Sequence, residues 1–152
     1  MSITVKRLTK ELVSLLSEKN KITGIIIENP SDIMTWYVTI VGPPDSSYEN
    51  GIFKMLLRFN DEYPVKAPSV KFLTPMFHPN IYRDGKICID ILQAEWTPAL
   101  NVRTILLSIM SLLTDPNPSS PANRDAAILY ESRVEYDKKV REFIEMNKDK
   151  IL

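Results

Sequence analysis

The chain has one cysteine, Cys88, and one histidine, His78, and that scarcity removes two kinds of scaffold at once. An intrachain disulfide is impossible, and zinc sites built on paired cysteines or on a histidine pair are excluded. Neither sign of charge is in excess, with 19 Lys and Arg against 19 Asp and Glu. This argues against a domain made to neutralise a nucleic-acid backbone and favours protein partners. No apolar run approaches the roughly 20 residues that cross a bilayer, so no membrane partner is expected. Met1 to Lys10 carries Lys6, Arg7 and Lys10 without a small-residue cleavage site after it, and no prenylation signal stands at the other end. These absences predict a soluble protein of a reducing compartment, cytoplasmic or nuclear. With 152 residues, 44% of them hydrophobic, one domain over 1–152 is expected, large enough to bury roughly 68–70% of the surface its unfolded chain exposes.

All 11 prolines lie between Pro30 and Pro121, which leaves the two ends free to be helical. Leu8, Leu12, Leu15 and Leu16 follow Val5 at helical spacing, with Lys6, Lys10 and Glu11 on another face, and predict a helix that stops near Asn20. Three β-branched and aromatic runs come next: Ile22 to Glu28, Ile33 to Val41 and Ile52 to Phe59. Met34, Trp36, Val38 and Ile40 alternate in the second, and Phe53, Met55, Leu57 and Phe59 in the third, as in an antiparallel meander. Val70 to Leu73 reads as a fourth strand. From Pro75 to Leu100 little regular structure is assignable, and so long an irregular stretch in a small domain is usually functional. Asn101 then caps a helix with the apolar stripe Val102, Ile105, Leu106, Ile109, Leu112 and Leu113, which Asp115-Pro116-Asn117-Pro118 ends. Ala126, Tyr130 and Val134, then Val140, Phe143 and Ile144, indicate a short and a longer helix, divided by a capping box at Ser132-Arg133-Val134-Glu135. No repeat, linker or low-complexity tract interrupts the chain.

Cys88 sits among apolar neighbours in Gly85-Lys86-Ile87-Cys88-Ile89-Asp90-Ile91-Leu92, where an inert, half-buried thiol is the ordinary expectation. Three features favour a functional thiol: it is unique, it lies in the irregular stretch, and His78 stands ten residues upstream in His78-Pro79-Asn80. A thiolate–imidazolium pair of the protease type is conceivable, but nothing in the spacing requires contact, and the signatures that flank cysteine-protease nucleophiles are missing. A ring that ties down its own loop is the commoner role for such a histidine.

His78-Pro79-Asn80, Cys88 eight residues after the asparagine, Trp96-Thr97-Pro98-Ala99 and Asp115-Pro116-Asn117-Pro118, in that order, together resemble the catalytic core of the ubiquitin-conjugating enzymes, the E2 family. The resemblance runs from about Lys6 to Phe143 and includes Tyr63-Pro64. It is nearest the E2 group of post-replication repair and histone ubiquitylation, through Met76-Phe77-His78-Pro79-Asn80, Ile89-Asp90-Ile91-Leu92-Gln93 and Ser119-Ser120-Pro121-Ala122-Asn123.

The resemblance implies an α+β fold with an N-terminal helix, a four-stranded antiparallel meander, a long active-site segment and three further helices. It implies that Cys88 accepts the C-terminal carboxyl of ubiquitin from an E1 enzyme as a thioester and yields it to a lysine amine of a protein substrate, without metal or cofactor; ATP is consumed by E1. Asn80 matches the motif asparagine proposed to donate to the oxyanion, with loop shaping as the competing role. Tyr82 matches an aromatic position that in one branch of the family helps desolvate the incoming lysine. Asp90 and Ser120 align with polar positions near the cysteine; many relatives carry Asp where Ser120 stands, and a helix N-cap with Pro121 at the first helical position is an equal alternative. His78 and Pro79 would brace the loop. Val65, Pro98 and Ala99 correspond to the patch offered to RING-type E3 ligases, although the family often has Phe at the position of Val65. Lys6, Arg7 and Lys10 lie on the helix used toward E1, unless they form only a solvated face. Leu107 and Ser111 resemble the surface where thioester-linked ubiquitin docks, unless Leu107 is core. Two rivals stand beside this assignment: conjugation of another ubiquitin-like modifier, and a non-catalytic ubiquitin-binding scaffold.

Overall fold

The structure, a computed structural model, describes residues 1–152. Helix α1 (Ile3–Leu16) is followed by strands β1 (Ile25–Ile27), β2 (Thr35–Val41), β3 (Ile52–Arg58) and β4 (Ser69–Phe72), then a single 3-10 turn at Asp90–Leu92 and helices α2 (Val102–Thr114), α3 (Arg124–Leu129) and α4 (Arg133–Asn147). The strands form one antiparallel sheet in the order β1-β2-β3-β4. This is the α+β architecture that the resemblance implies. No helix is long and apolar enough to cross a membrane.

Alternation fixes which face of the sheet is inside. Trp36 pairs with Leu57, Val38 with Met55, Ile40 with Phe53, and Met55 with Phe72, and all of these side chains are buried. A slip of one residue would turn the whole set to water, so the register is strongly specified. The same buried core takes in Leu8, Leu12 and Leu15 of α1, Val102, Ile105, Leu106, Ile109 and Leu113 of α2, and Tyr136 and Val140 of α4. Asn101 caps α2 as expected, its Oδ1 accepting from the Thr104 amide at 2.9 Å.

The element limits differ from the periodic reading for local reasons. α1 stops at Leu16, four residues before Asn20, because Ser17 turns extended and donates its hydroxyl to Ser14 O, while Asn20 Nδ2 donates to Ser14 Oγ. Such short polar side chains compete with helical bonding. Leu16 consequently lies half-exposed, off the apolar stripe. β1 keeps only three residues because Gly24 takes φ +83°. β2 begins at Thr35 after an Asx turn in which Asp32 Oδ1 accepts from the Met34 amide. The capping box does not form: the Ser132 side chain makes no cap bond. With α4 starting at Arg133, Tyr136, Val140, Phe143 and Ile144 face inward and Val134 is turned out, 80% exposed. Periodicity missed Tyr136, whose hydroxyl donates to Tyr48 Oη while Tyr48 donates to Phe77 O.

Glu11 is not on a solvated face. Its Oε1 accepts from the Val102 amide at 2.8 Å and its Oε2 from Tyr63 Oη at 2.6 Å and Arg7 Nε at 2.9 Å. One carboxylate therefore joins α1, the first turn of α2 and the Tyr63-Pro64 segment. Glu11→Gln replaces one acceptor oxygen by a donor that faces other donors, and is expected to lower the free energy of unfolding by about 1–3 kcal/mol, read by urea denaturation, because hydrogen bonds to a charged group contribute on that scale.

Candidate active site

Cys88 is carried by a short ribbon. The peptide pairs Ile81 with Ile87, the Tyr82 amide donates to Lys86 O at 2.9 Å and the Cys88 amide to Asn80 O at 2.8 Å. The ribbon reverses through Tyr82-Arg83-Asp84-Gly85, closed by the Gly85 amide on Tyr82 O at 2.9 Å. Gly85 is required there twice over: its φ is +93°, and a Cβ would lie 2.0 Å from Phe72 O. That close approach lets the Phe72 amide donate to Gly85 O at 2.8 Å, which stitches the ribbon to the edge of β4. Ile87 points into the core, and Cys88 is left half-buried at the surface.

His78 holds the base of the ribbon. Its Nδ1 accepts from the Asn80 amide at 2.9 Å, which leaves Nε2 to donate to Leu112 O at 2.9 Å. The ring is fully buried, tilted against Tyr48 at 5.5 Å, and burial lowers its pKa to about 4. It is thus neutral, with both nitrogens engaged away from the thiol, and the protease-pair alternative falls. The shift has a stability consequence. An unfolded histidine titrates near pH 6.5, so the unfolded chain binds a proton between about pH 6.5 and 4 that the folded one refuses. The contribution of neutral His78 is complete above about pH 6.5 and is expected to fall by about 3 kcal/mol toward pH 4. Denaturant unfolding across that range checks it, with His78→Gln expected to lose this part of the slope.

Asn80 is buried, and its side chain is fully engaged. Nδ2 donates to Asn117 O at 2.6 Å and to Ser120 O at 3.2 Å, and Oδ1 accepts from the Asn117 amide at 2.8 Å. Pro79, also buried, accepts at its carbonyl from the Ala122 and Asn123 amides at 2.7 and 3.0 Å. The 117–123 segment is thereby fastened over His78-Pro79-Asn80 as a wall beside the cysteine ribbon. In this arrangement Asn80 shapes the loop, and neither amide hydrogen is free to meet an oxyanion.

The structure separates the remaining candidates. Tyr82 stands half-exposed on the ribbon. Asp90 opens the 3-10 turn, its Oδ1 accepting from the Ile91 amide at 2.8 Å. Ser120 is exposed and is not an N-cap: Asn123 caps α3 by accepting from the Ala126 amide at 3.1 Å, and Pro121 precedes the helix. Val65, 71% exposed, and Pro98-Ala99 lie on two loops tied by Trp96 Nε1 donating to Pro64 O at 2.9 Å. Lys6 and Lys10 are exposed, but Arg7 folds inward, donating to Leu100 O at 2.8 Å and Pro98 O at 3.3 Å besides Glu11. The basic face is therefore divided, and Arg7 is a brace for the Pro98 loop. Leu107 and Ser111 are both exposed, one turn apart on α2, so Leu107 is not core. Reasoning from the sequence missed Glu11, Tyr48 and Tyr136. The hydrogen-bonding ends of these side chains offered the only signal, since periodicity counts them with the polar or merely apolar positions.

Residues 7–144 match the family described as ubiquitin-conjugating enzyme. Among curated proteins, the chain is 53% identical over 117 residues to a ubiquitin-conjugating enzyme E2 2 of Kluyveromyces lactis, covering 76% of this chain and 71% of that protein. It is 53% identical over 117 residues to the Saccharomyces cerevisiae protein of the same description, covering 76% and 68%. With that of Neurospora crassa it shares 50% identity over 117 residues, covering 76% and 78%.

Proposed function

The chain belongs to the ubiquitin-conjugating enzyme family, and on that premise we propose that Cys88 carries ubiquitin as a thioester and passes it to lysine amines of other proteins. The observation that supports this most directly is the placement of the only thiol. It is half-buried at the surface of a ribbon whose backbone is fixed to Asn80 on one side and to β4 on the other, so a reacting sulfur is held in place without being sealed off. E1 supplies the activated ubiquitin and consumes ATP. This protein needs neither metal nor cofactor, because both half-reactions are exchanges at one acyl carbon.

In the first half-reaction the Cys88 thiolate attacks the E1-linked acyl carbon, and the E1 sulfur leaves. In the second, a neutral lysine amine attacks the Cys88 thioester, the C–N bond forms, the C–S bond breaks, and the sulfur leaves as thiolate while the amine gives up its proton. His78 takes no part as a base, being neutral with both ring nitrogens bonded. Half-exposed Tyr82 and the wall at 117–123 screen the incoming amine from water, which favours its uncharged form. Asp90 and Ser120 flank the approach, and Asn80 keeps the wall in position. Val65, Pro98 and Ala99 form the RING-type E3 patch, Lys6 and Lys10 the charges that face E1, with Arg7 behind them, and Leu107 with Ser111 the seat of the donor ubiquitin.

Incubation with E1, ATP and ubiquitin, resolved on a gel without reductant, tests this. A ubiquitin adduct that a thiol reagent removes is the expected result. No adduct under conditions that charge a control E2 would favour the scaffold alternative, and charging only by a different modifier would redirect the donor assignment.

A further inference from the structure

Two residues before the cysteine stands a lysine whose position the transfer reaction does not use. Ile87 between them is 6% exposed and points into the core, so the alternation of an extended segment sends Lys86 and Cys88 out on the same side. At about 3.3 Å per residue their Cα atoms are roughly 6.6 Å apart, a gap that a flexible four-carbon lysine stem crosses. The Lys86 side chain is 70% exposed, and its one ionic neighbour, Asp84 Oδ2, is 3.9 Å away and itself 59% exposed. An exposed pair of that kind holds an arm weakly. On the other flank Lys86 pairs across the ladder with Lys71, and like charges directly opposite disfavour an arm lying back over β4. The backbone of Lys86 is fixed by the Tyr82 amide on its carbonyl and by its own amide on Asp84 Oδ1 at 3.0 Å, so only the stem moves.

We propose that Lys86 is an intramolecular acceptor: a self-modification site that takes ubiquitin from Cys88 when no external amine does. This rests on the thioester assigned above. The neutral Lys86 Nζ attacks the thioester carbonyl carbon, an isopeptide C–N bond forms and the C–S bond breaks. The electron pair leaves on Cys88 Sγ, and the amine's proton passes to solvent or to that sulfur. No further reactant is needed. The held ribbon makes the step unimolecular, which raises the local concentration of amine far above that of any free lysine. The product places ubiquitin irreversibly beside the cysteine, so charged enzyme left without a substrate disables itself.

The protein is charged with E1, ATP and ubiquitin, E1 is then stopped with a chelator of magnesium, and samples are followed with and without thiol reagent. Wild type is expected to convert the thiol-sensitive adduct into a thiol-resistant one at a rate independent of protein concentration, with peptide mapping placing the link on Lys86. Lys86→Arg keeps the charge, forms the thiol-sensitive adduct, and yields at least about tenfold less of the resistant one; Lys71→Arg leaves it unchanged. A resistant adduct that persists in Lys86→Arg, maps to another lysine, or forms faster in proportion to protein concentration overturns the proposal. A thiol-sensitive adduct that never becomes resistant overturns it while leaving the thioester reading intact, whereas no thiol-sensitive adduct overturns both.

Discussion

Cys88→Ala is expected to abolish charging with ubiquitin altogether, and Cys88→Ser to turn the thiol-sensitive adduct into one that thiol reagents leave intact. The chain has no second cysteine, so no other sulfur can take over, and the alanine variant has nothing to acylate at this position. Serine places an oxygen where the sulfur stood, and an oxygen ester resists thiol exchange and yields slowly to amines. Neither substitution should unfold the protein. The Cys88 side chain is only half-buried, and the bond that fixes the residue, from its amide to Asn80 O at 2.8 Å, belongs to the backbone. Thermal or urea unfolding is therefore expected to move by no more than about 1 kcal/mol. Loss of the adduct in a folded Cys88→Ala protein is the expected outcome; an adduct that survives in it would place the acyl group elsewhere and remove the mechanism.

Asn80→Ala is expected to destabilise the protein by about 2–4 kcal/mol and to slow discharge to free lysine by an order of magnitude or more, while charging persists. The stability part follows from what the amide leaves behind. Asn117 loses the acceptor of its amide hydrogen, and the carbonyls of Asn117 and Ser120 lose their donor; the Asn80 side chain is itself buried, and truncating a buried group that makes three hydrogen bonds costs on that scale. The discharge part follows from the wall at 117–123, which loses its side-chain tie though not the Pro79 carbonyl bonds to Ala122 and Asn123. Asn80→Asp sharpens the test. A carboxylate still accepts from the Asn117 amide but meets two carbonyl oxygens where the amide donated, and should destabilise at least as much as alanine. A residue that acted only as an oxyanion donor would lower discharge and leave urea unfolding unchanged. Unchanged stability in both variants would sink the bracing role.

Local rules carried much of the fold because their causes are local. The alternation through Trp36, Val38 and Ile40, and again through Phe53, Met55 and Leu57, reports a sheet with one buried face, which the register Trp36–Leu57, Val38–Met55 and Ile40–Phe53 realises. Asn101 as a cap and Asp115-Pro116 as a stop bound α2 as expected. Where two local signals competed, the phase of the helix decided. Ser132-Arg133-Val134-Glu135 has the letters of a capping box, but an inward Tyr136 bonded to Tyr48 sets α4 so that Val134 meets water.

Spacing and breakers act over a few residues, and they were enough to set the class of architecture, the irregular stretch that carries Cys88, and the motif order through which the family is recognised. What the single histidine and the charged or amide side chains do was settled by packing between distant segments. His78 is neutral because burial among distant elements removes the water that would support its charge. Asn80 is a brace because Asn117, 37 residues on, supplies its partner. Arg7 and Glu11 are tied to Leu100 and Val102, 93 and 91 residues away. A polar side chain has no fixed role until a fold brings its partner within hydrogen-bonding distance, and that distance is a property of the packed chain.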